Sequence, residues 1–370
     1  MSSQNFLKVK NMRSINLWLK SFFSDNATIL TREFKLHKLE ERPPHEATVT
    51  KNEAILYYKQ MMVIRSLEAA AGNLYEKKMI RGFCHLQTGQ EACAVGIKAA
   101  MRPTDSLISG YRIHGWSYLM GLTLLEVIGE LLGKQSGGSN GKGGSMHLYG
   151  KNFYGGNGIV GAQVPLGAGV ALASKYQKTG GVCFTIYGDG AAMQGQIFET
   201  FNMAKLWNLP CVFVCENNGQ ALSLANSTVE ASGISKVETT EFYTLGNNIP
   251  GVLVDGTDVI TVREAAKFAI NHNVSGKGPI ILEIVTPSAD SFNDSSDSEQ
   301  KSKRKDPIVL FRKNVQKAGL MTEEDFKLIE ENMKKEVEES LRRALEDVEP
   351  GLQELTTEVY SHCLETEVKK

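Results

Sequence analysis

The chain has 370 residues, 42% of them hydrophobic and 22% charged, with a formal net charge of −1. That is the balance of a folded globular chain with room for a large core, two or three domains on length alone. It excludes a nucleic-acid binder with a broad basic footprint and a wholly disordered chain, and no apolar run approaches the roughly 18 residues of a membrane span.

Taken in chain order, residues 1–28 set Lys8, Lys10, Arg13 and Lys20 among Phe6, Leu7, Trp18, Leu19, Phe22 and Phe23, with Asp25 the first acidic residue. A basic, amphipathic start of this kind predicts a mitochondrial transit peptide, leaving one α/β domain over residues 29–370. From Thr50 to Lys78 an apolar stripe (Leu56, Met61, Ile64, Leu67, Ala71, Leu74) recurs at helical spacing. Thr88-Gly-Gln-Glu91 and Thr123-Leu-Leu-Glu126 match the capping-box pattern, so helices are expected to start there, the second ending near Gly133. Eighteen of the 35 glycines fall between Gly133 and Gly195, where backbone must bend tightly or approach something closely. Pro165 is expected to open a helix of small residues running to about Lys175.

A short apolar strand, Val182–Tyr187, then ends in Gly188-Asp-Gly190; Gln196–Leu206 reads as a helix, and Cys211–Cys215 as a second strand ending in Glu216-Asn-Asn218. Strand, helix, strand is a βαβ crossover, so the two strands are parallel and their carboxyl ends share one edge of the sheet. Asp189 and Asn218 should therefore be neighbours in space, on the edge where open α/β sheets bind ligands. Val252–Asp255, Thr261–Ile270 and Pro279–Val285 continue as strand, helix and strand. Together these predict an open parallel sheet with helices on both faces. Residues 286–305 are polar and charge-segregated, reading as an exposed loop, and 306–370 as a C-terminal helical segment with an amphipathic helix over Thr322–Glu346. The six cysteines form no C-x-x-C pair and read as reduced, mostly buried thiols, with Cys211 and Cys215 on one face of their strand.

A carboxylate and an amide oxygen at adjacent strand ends are hard ligands suited to magnesium, which is often completed by phosphate oxygens. Glycines beside Asp189 let backbone N–H groups approach phosphates, and the next helix offers its positive N-terminus. The residues alone thus point to a magnesium-diphosphate site.

Gly188-Asp-Gly190 followed by Asn217-Asn218 resembles the thiamine-diphosphate motif. More narrowly, Ile80–His85, Gly89–Ala92, Tyr111–Gly115, Gly141–His147 and Asn152–Gly169 resemble the α subunit of the decarboxylating component of the pyruvate dehydrogenase complex. The likeness runs from about Phe34 to Val285 and resumes more weakly at Asp306-Pro307. It implies a thiamine-diphosphate-binding fold. Asp189, Asn218 and the Gln220 carbonyl would hold magnesium, Gly190 and Ala191 the diphosphate, and Gly158 and Val160 the aminopyrimidine by backbone atoms. Tyr111 and Arg112 would contact the diphosphate end, where a guanidinium fork matches phosphate oxygens. His85 would face the cofactor's reactive side; for His114 and His147, direct contact and support of the glycine-rich loop both stay open. The implied activity is oxidative decarboxylation of pyruvate and acetyl transfer to a lipoyl group, with the cofactor supplying the carbanion chemistry. A β subunit contributing to an α2β2 assembly, a lipoyl-bearing acetyltransferase core and residence in the mitochondrial matrix are implied with it. Arg81-Gly-Phe-Cys-His85 matches the pyruvate members rather than the branched-chain ones.

The sequence departs from the family's pattern in three places. Thr286–Ser296 replaces a His-Gly-His-Ser segment, leaving no histidine between His272 and His362; Gly219-Gln-Ala-Leu-Ser223 replaces Arg-Tyr-Gly-Met-Gly; and Met193 stands in place of an asparagine. The lost segment carries the family's regulatory serine. A catalytically impaired α-like subunit that still binds cofactor and β partner is the second expectation, because a missing imidazole acid or base costs roughly 10²–10⁴ in rate.

Overall fold

The computed structural model describes residues 25–219, 241–287 and 306–357. A six-stranded sheet forms its centre, in the order β2 (Lys35–His37), β7 (Gly251–Asp255), β8 (Ile280–Val285), β6 (Cys211–Asn217), β5 (Cys183–Gly188), β4 (Ser106–Ile108). Every pairing is parallel except that of the edge strand β2. A separate antiparallel pair joins β1 (Asn26–Leu30) to β3 (Glu46–Thr50). β1 begins at Asn26, so the last residues of the expected 1–28 leader lie inside a paired strand.

The strands alternate with period two between two cores. Phe184 and Ile186 of β5, with Val212 and Val214 of β6, face the larger one. There they meet α1 (Lys51–Glu76), α2 (Glu91–Ala100), α7 (Val259–Val274), α8 (Pro307–Lys317) and α9 (Glu323–Glu346). Cys183, Tyr187, Cys211, Phe213 and Cys215 face the smaller core, with α5 (Gln163–Gln177) and α6 (Gly195–Leu206). Helices on both faces and a mostly parallel sheet are the architecture read from the sequence. Among the described residues all five cysteines are free; burial, then the Glu68 carboxylate, pushes the Cys84 thiol up to about 12, which leaves it inert.

Local signals held in most places and failed in three. Thr123 caps α4 (Leu124–Leu131) with Glu126 answering as a capping box, and Gly133 takes a left-handed conformation just past its end. Thr88 does not cap α2: the helix starts at Glu91, whose carboxylate is drawn to the Arg65 guanidinium and the Gly89 N–H. Leu56 of the expected stripe is 49% exposed, whereas Met61, Ile64, Leu67, Ala71 and Leu74 are buried. Pro165 is the third helical residue rather than the first, because the turn that closes at Val164 already starts the helix at Gln163. Gly167 on α5 lets that helix lie directly on β5, since a Cβ there would run into Thr185.

Candidate functional site

Three neighbouring parallel strands end at one edge, and their carboxyl ends open into a cleft of about 480 Å³. After β4 come Ser109, Gly110, Tyr111 and Arg112; after β5, Gly188, Asp189, Gly190 and Ala191; at the end of β6, Glu216 and Asn218. β5 and β6 run in register from Cys183 opposite Cys211 to Gly188 opposite Glu216, and the Asp189 N–H donates to the Glu216 carbonyl at 3.3 Å. The βαβ geometry thus brings Asp189 and Asn218 into one cleft, as the sequence predicted. Gln220 lies outside the described residues.

Val160 also lines the cleft, together with Asn157, Gly161 and Gln163. Gly158 does not: it is solvent-exposed within a turn that Asn157 closes by accepting from the Ile159 N–H at 2.8 Å. Gly190 and Ala191 form cleft wall, but their N–H groups are directed to the chain's own acceptors, Asp189 Oδ1 and the Gly188 carbonyl, each at 3.0 Å. Met193 is 48% exposed and is not among the lining residues.

His85 reaches the cleft through a neighbour. Its ring centroid lies 4.2 Å from that of Tyr111, and the Phe83 ring stacks on it at 5.8 Å. Burial, then the positive charge of Arg112, holds the His85 imidazole below its ordinary range, favouring the neutral ring. Arg112 lies over the Tyr111 ring and donates to the Leu86 carbonyl, which fixes the guanidinium beside the cleft. His114 is placed to support the glycine-rich loop. Fully buried, it bonds Glu68 through Nδ1 at 2.9 Å and the Ser145 carbonyl through Nε2 at 3.1 Å, and it does not line the cleft. The ring of His147 is likewise absent from the lining.

Several lining residues escaped the sequence reading. Glu216 is 5% exposed; burial pushes its carboxyl up to about 7, against the Cys93 thiol at 3.2 Å and the Arg112 charge, which pull the other way. The one available signal was an acidic residue closing an otherwise apolar strand. Gln90 and Gln163 are buried, and the side-chain oxygen of each has no hydrogen-bond partner among the described residues. The Gln163 amide instead donates to the Ile186 carbonyl at 3.1 Å. Nothing in the spacing marked either glutamine.

Chemically, the cleft offers hard oxygen donors on Asp189 and Asn218, unsatisfied amide oxygens and a guanidinium. These fit an anionic phosphate-bearing molecule carrying a divalent cation. Among the described residues no cluster of three histidine, cysteine, aspartate or glutamate side chains could hold a metal by itself, so phosphate or further oxygen ligands would have to complete the shell.

Residues 59–353 match the family model described as "Dehydrogenase E1 component". A probable pyruvate dehydrogenase E1 component subunit alpha, mitochondrial, from Caenorhabditis elegans is 48% identical over 355 residues, covering 94% of this chain and 88% of the relative. The type I subunit of the same name from Ascaris suum is 47% identical over 346 residues, 91% and 86% of the two chains. The somatic form from Homo sapiens is 46% identical over 349 residues, 92% and 87%.

Proposed function

The chain belongs to the dehydrogenase E1 component family, and from that premise we propose that it is the α subunit of a pyruvate dehydrogenase. The observation that carries the reading is the placing of Asp189 and Asn218 at the ends of hydrogen-bonded parallel strands, in one cleft with Tyr111 and Arg112. Thiamine diphosphate is the cofactor that the family implies, and it supplies the carbanion chemistry by which a 2-oxo acid loses carbon dioxide. Asp189 and Asn218 would hold its magnesium, with Gln220 as the third ligand. Arg112 would neutralise diphosphate charge, and the half-buried His85 ring would serve as a neutral proton acceptor or donor beside Tyr111.

Pyruvate is the substrate named for the relatives, and the α designation of those chains supports a β-subunit partner. The acetyl group would pass to a lipoyl group on an acetyltransferase core. The relatives named mitochondrial, together with the basic start of the chain, support residence in the matrix. No described helix is long and apolar enough to cross a membrane. Nothing in the geometry or the relatives favours the impaired second reading. The replaced His-Gly-His-Ser segment falls mostly on residues 288–305, outside the described ones.

The test is pyruvate decarboxylation by the chain reconstituted with a β subunit. Activity that requires both thiamine diphosphate and magnesium is expected; a reconstituted tetramer that binds both but does not decarboxylate pyruvate would overturn the activity.

A further inference from the structure

In the loop after α4, the backbone of residues 139–144 is gathered on one carboxylate. Glu130 is completely buried, and each of its oxygens takes two backbone N–H groups. Oε2 accepts from Ser139 at 2.8 Å and Gly141 at 3.0 Å; Oε1 accepts from Gly143 at 2.5 Å and Gly144 at 3.2 Å. Such charge-assisted bonds are the strong ones, and four of them gather six residues of backbone around one side chain. The loop must be glycine-rich to close this tightly: a Cβ on Gly143 would collide with the His147 carbonyl and press on Glu130. From outside, the chain past α9 grips the same loop. Asp347 accepts from the Ser136 N–H at 2.7 Å, and the Val348 carbonyl accepts from the Gln135 N–H at 3.0 Å.

Where this loop ends, Ser145 connects it to both segments that carry aromatic and basic groups to the cleft. Its hydroxyl donates to the Phe83 carbonyl, two residues before His85, and its carbonyl meets His114 Nε2, two residues after Arg112. Phe83 stacks on His85, which packs on Tyr111. Glu130 itself does not line the cleft.

We propose that Glu130 is a positioning residue for this part of the site: its carboxylate sets the glycine-rich loop, and through Ser145 the loop sets His85, Tyr111 and Arg112. The inference rests on the cleft's being the thiamine-diphosphate site. A Glu130→Gln side chain keeps the volume but turns an N–H toward backbone N–H groups, so the cradle opens while the core stays filled.

The experiment titrates thiamine diphosphate with magnesium into the reconstituted α/β assembly by calorimetry, beside amide hydrogen exchange. Glu130→Gln is expected to weaken binding about tenfold or more at unchanged stoichiometry, as loss of an outer-shell support does, and to speed exchange selectively over residues 139–147. Ser145→Ala leaves the cradle intact and is expected to weaken binding by a smaller factor, with exchange over 139–144 unchanged. A merely structural role would lower the number of sites and leave the affinity of those remaining unaltered, which would overturn the proposal. If Glu130→Gln does not assemble, Ser145→Ala decides: unaltered affinity there also overturns it. An unsubstituted assembly that fails to bind the cofactor would instead sink the functional reading itself.

Discussion

One wall of the cleft stands on strand ends, and another stands on loops. Asp189 and Asn218 follow β5 and β6, whose ladder of parallel hydrogen bonds fixes their separation whatever the neighbouring side chains do. His85 sits on a segment outside the sheet, and Tyr111 and Arg112 lie on the loop that follows the short edge strand β4, past the last register pair at Ile108. Their placement depends on buried carboxylates, Glu130 on the loop and Glu68 on His114, each reaching across from a helix. Backbone ladders tolerate substitution around them, whereas a buried charge fails when one partner is lost. The two walls should therefore break in different ways: the strand-end wall by losing ligands with the fold intact, the loop wall by losing order.

The largest effect expected is at the strand ends. Asp189→Ala should abolish magnesium-dependent thiamine-diphosphate binding, a loss of about 100-fold or more, with little change in melting temperature. Unchanged affinity in calorimetry would remove Asp189 from the site.

In the loop wall, His114→Ala leaves Glu68 buried without its partner and should cost about 3–5 kcal/mol of stability, read by denaturant unfolding. Its pH dependence has a definite sign. Burial works against charge on His114, but the Glu68 carboxylate at 2.9 Å and the Ser145 carbonyl outweigh it, so the folded-state value is raised above the ordinary 6.5. A raised imidazole stabilises fully below that ordinary value, and the contribution is lost as pH rises through the folded value. Melting temperature should thus fall from pH 6 toward pH 8.5, and His114→Gln should flatten that slope; an equal slope in both proteins would refute the charged pair.

The smallest effect sharpens the contrast from the other side. Met193 differs from the family's asparagine yet is exposed and outside the lining. Met193→Asn should change cofactor affinity by less than about twofold, and a larger gain would show that this turn reaches the ligand.

How much was legible follows the same division. The βαβ unit, the two-faced sheet and the convergence of Asp189 with Asn218 could be read because each rests on local periodicity and one topological rule. Thr123–Glu126 was readable as a cap because nothing distant competed for Glu126, whereas Thr88–Glu91 misled because Arg65, 26 positions earlier in sequence, took Glu91 instead. Leu56 misled for a related reason: helical spacing finds a face, but which edge of that face is covered depends on what packs against it.

By itself, then, the sequence determined the fold class, the family, and the meeting of Asp189 with Asn218 at one sheet edge, because strand register and turn chemistry are properties of short segments. Only the tertiary structure decided that His114 is buried between Glu68 and the Ser145 carbonyl, that Glu216 is a buried acid in the cleft, and that Glu130 holds the glycine-rich loop. Those roles belong to carboxylates whose partners lie on other segments, and desolvation, which gives each its strength, exists only once the chain has packed around it.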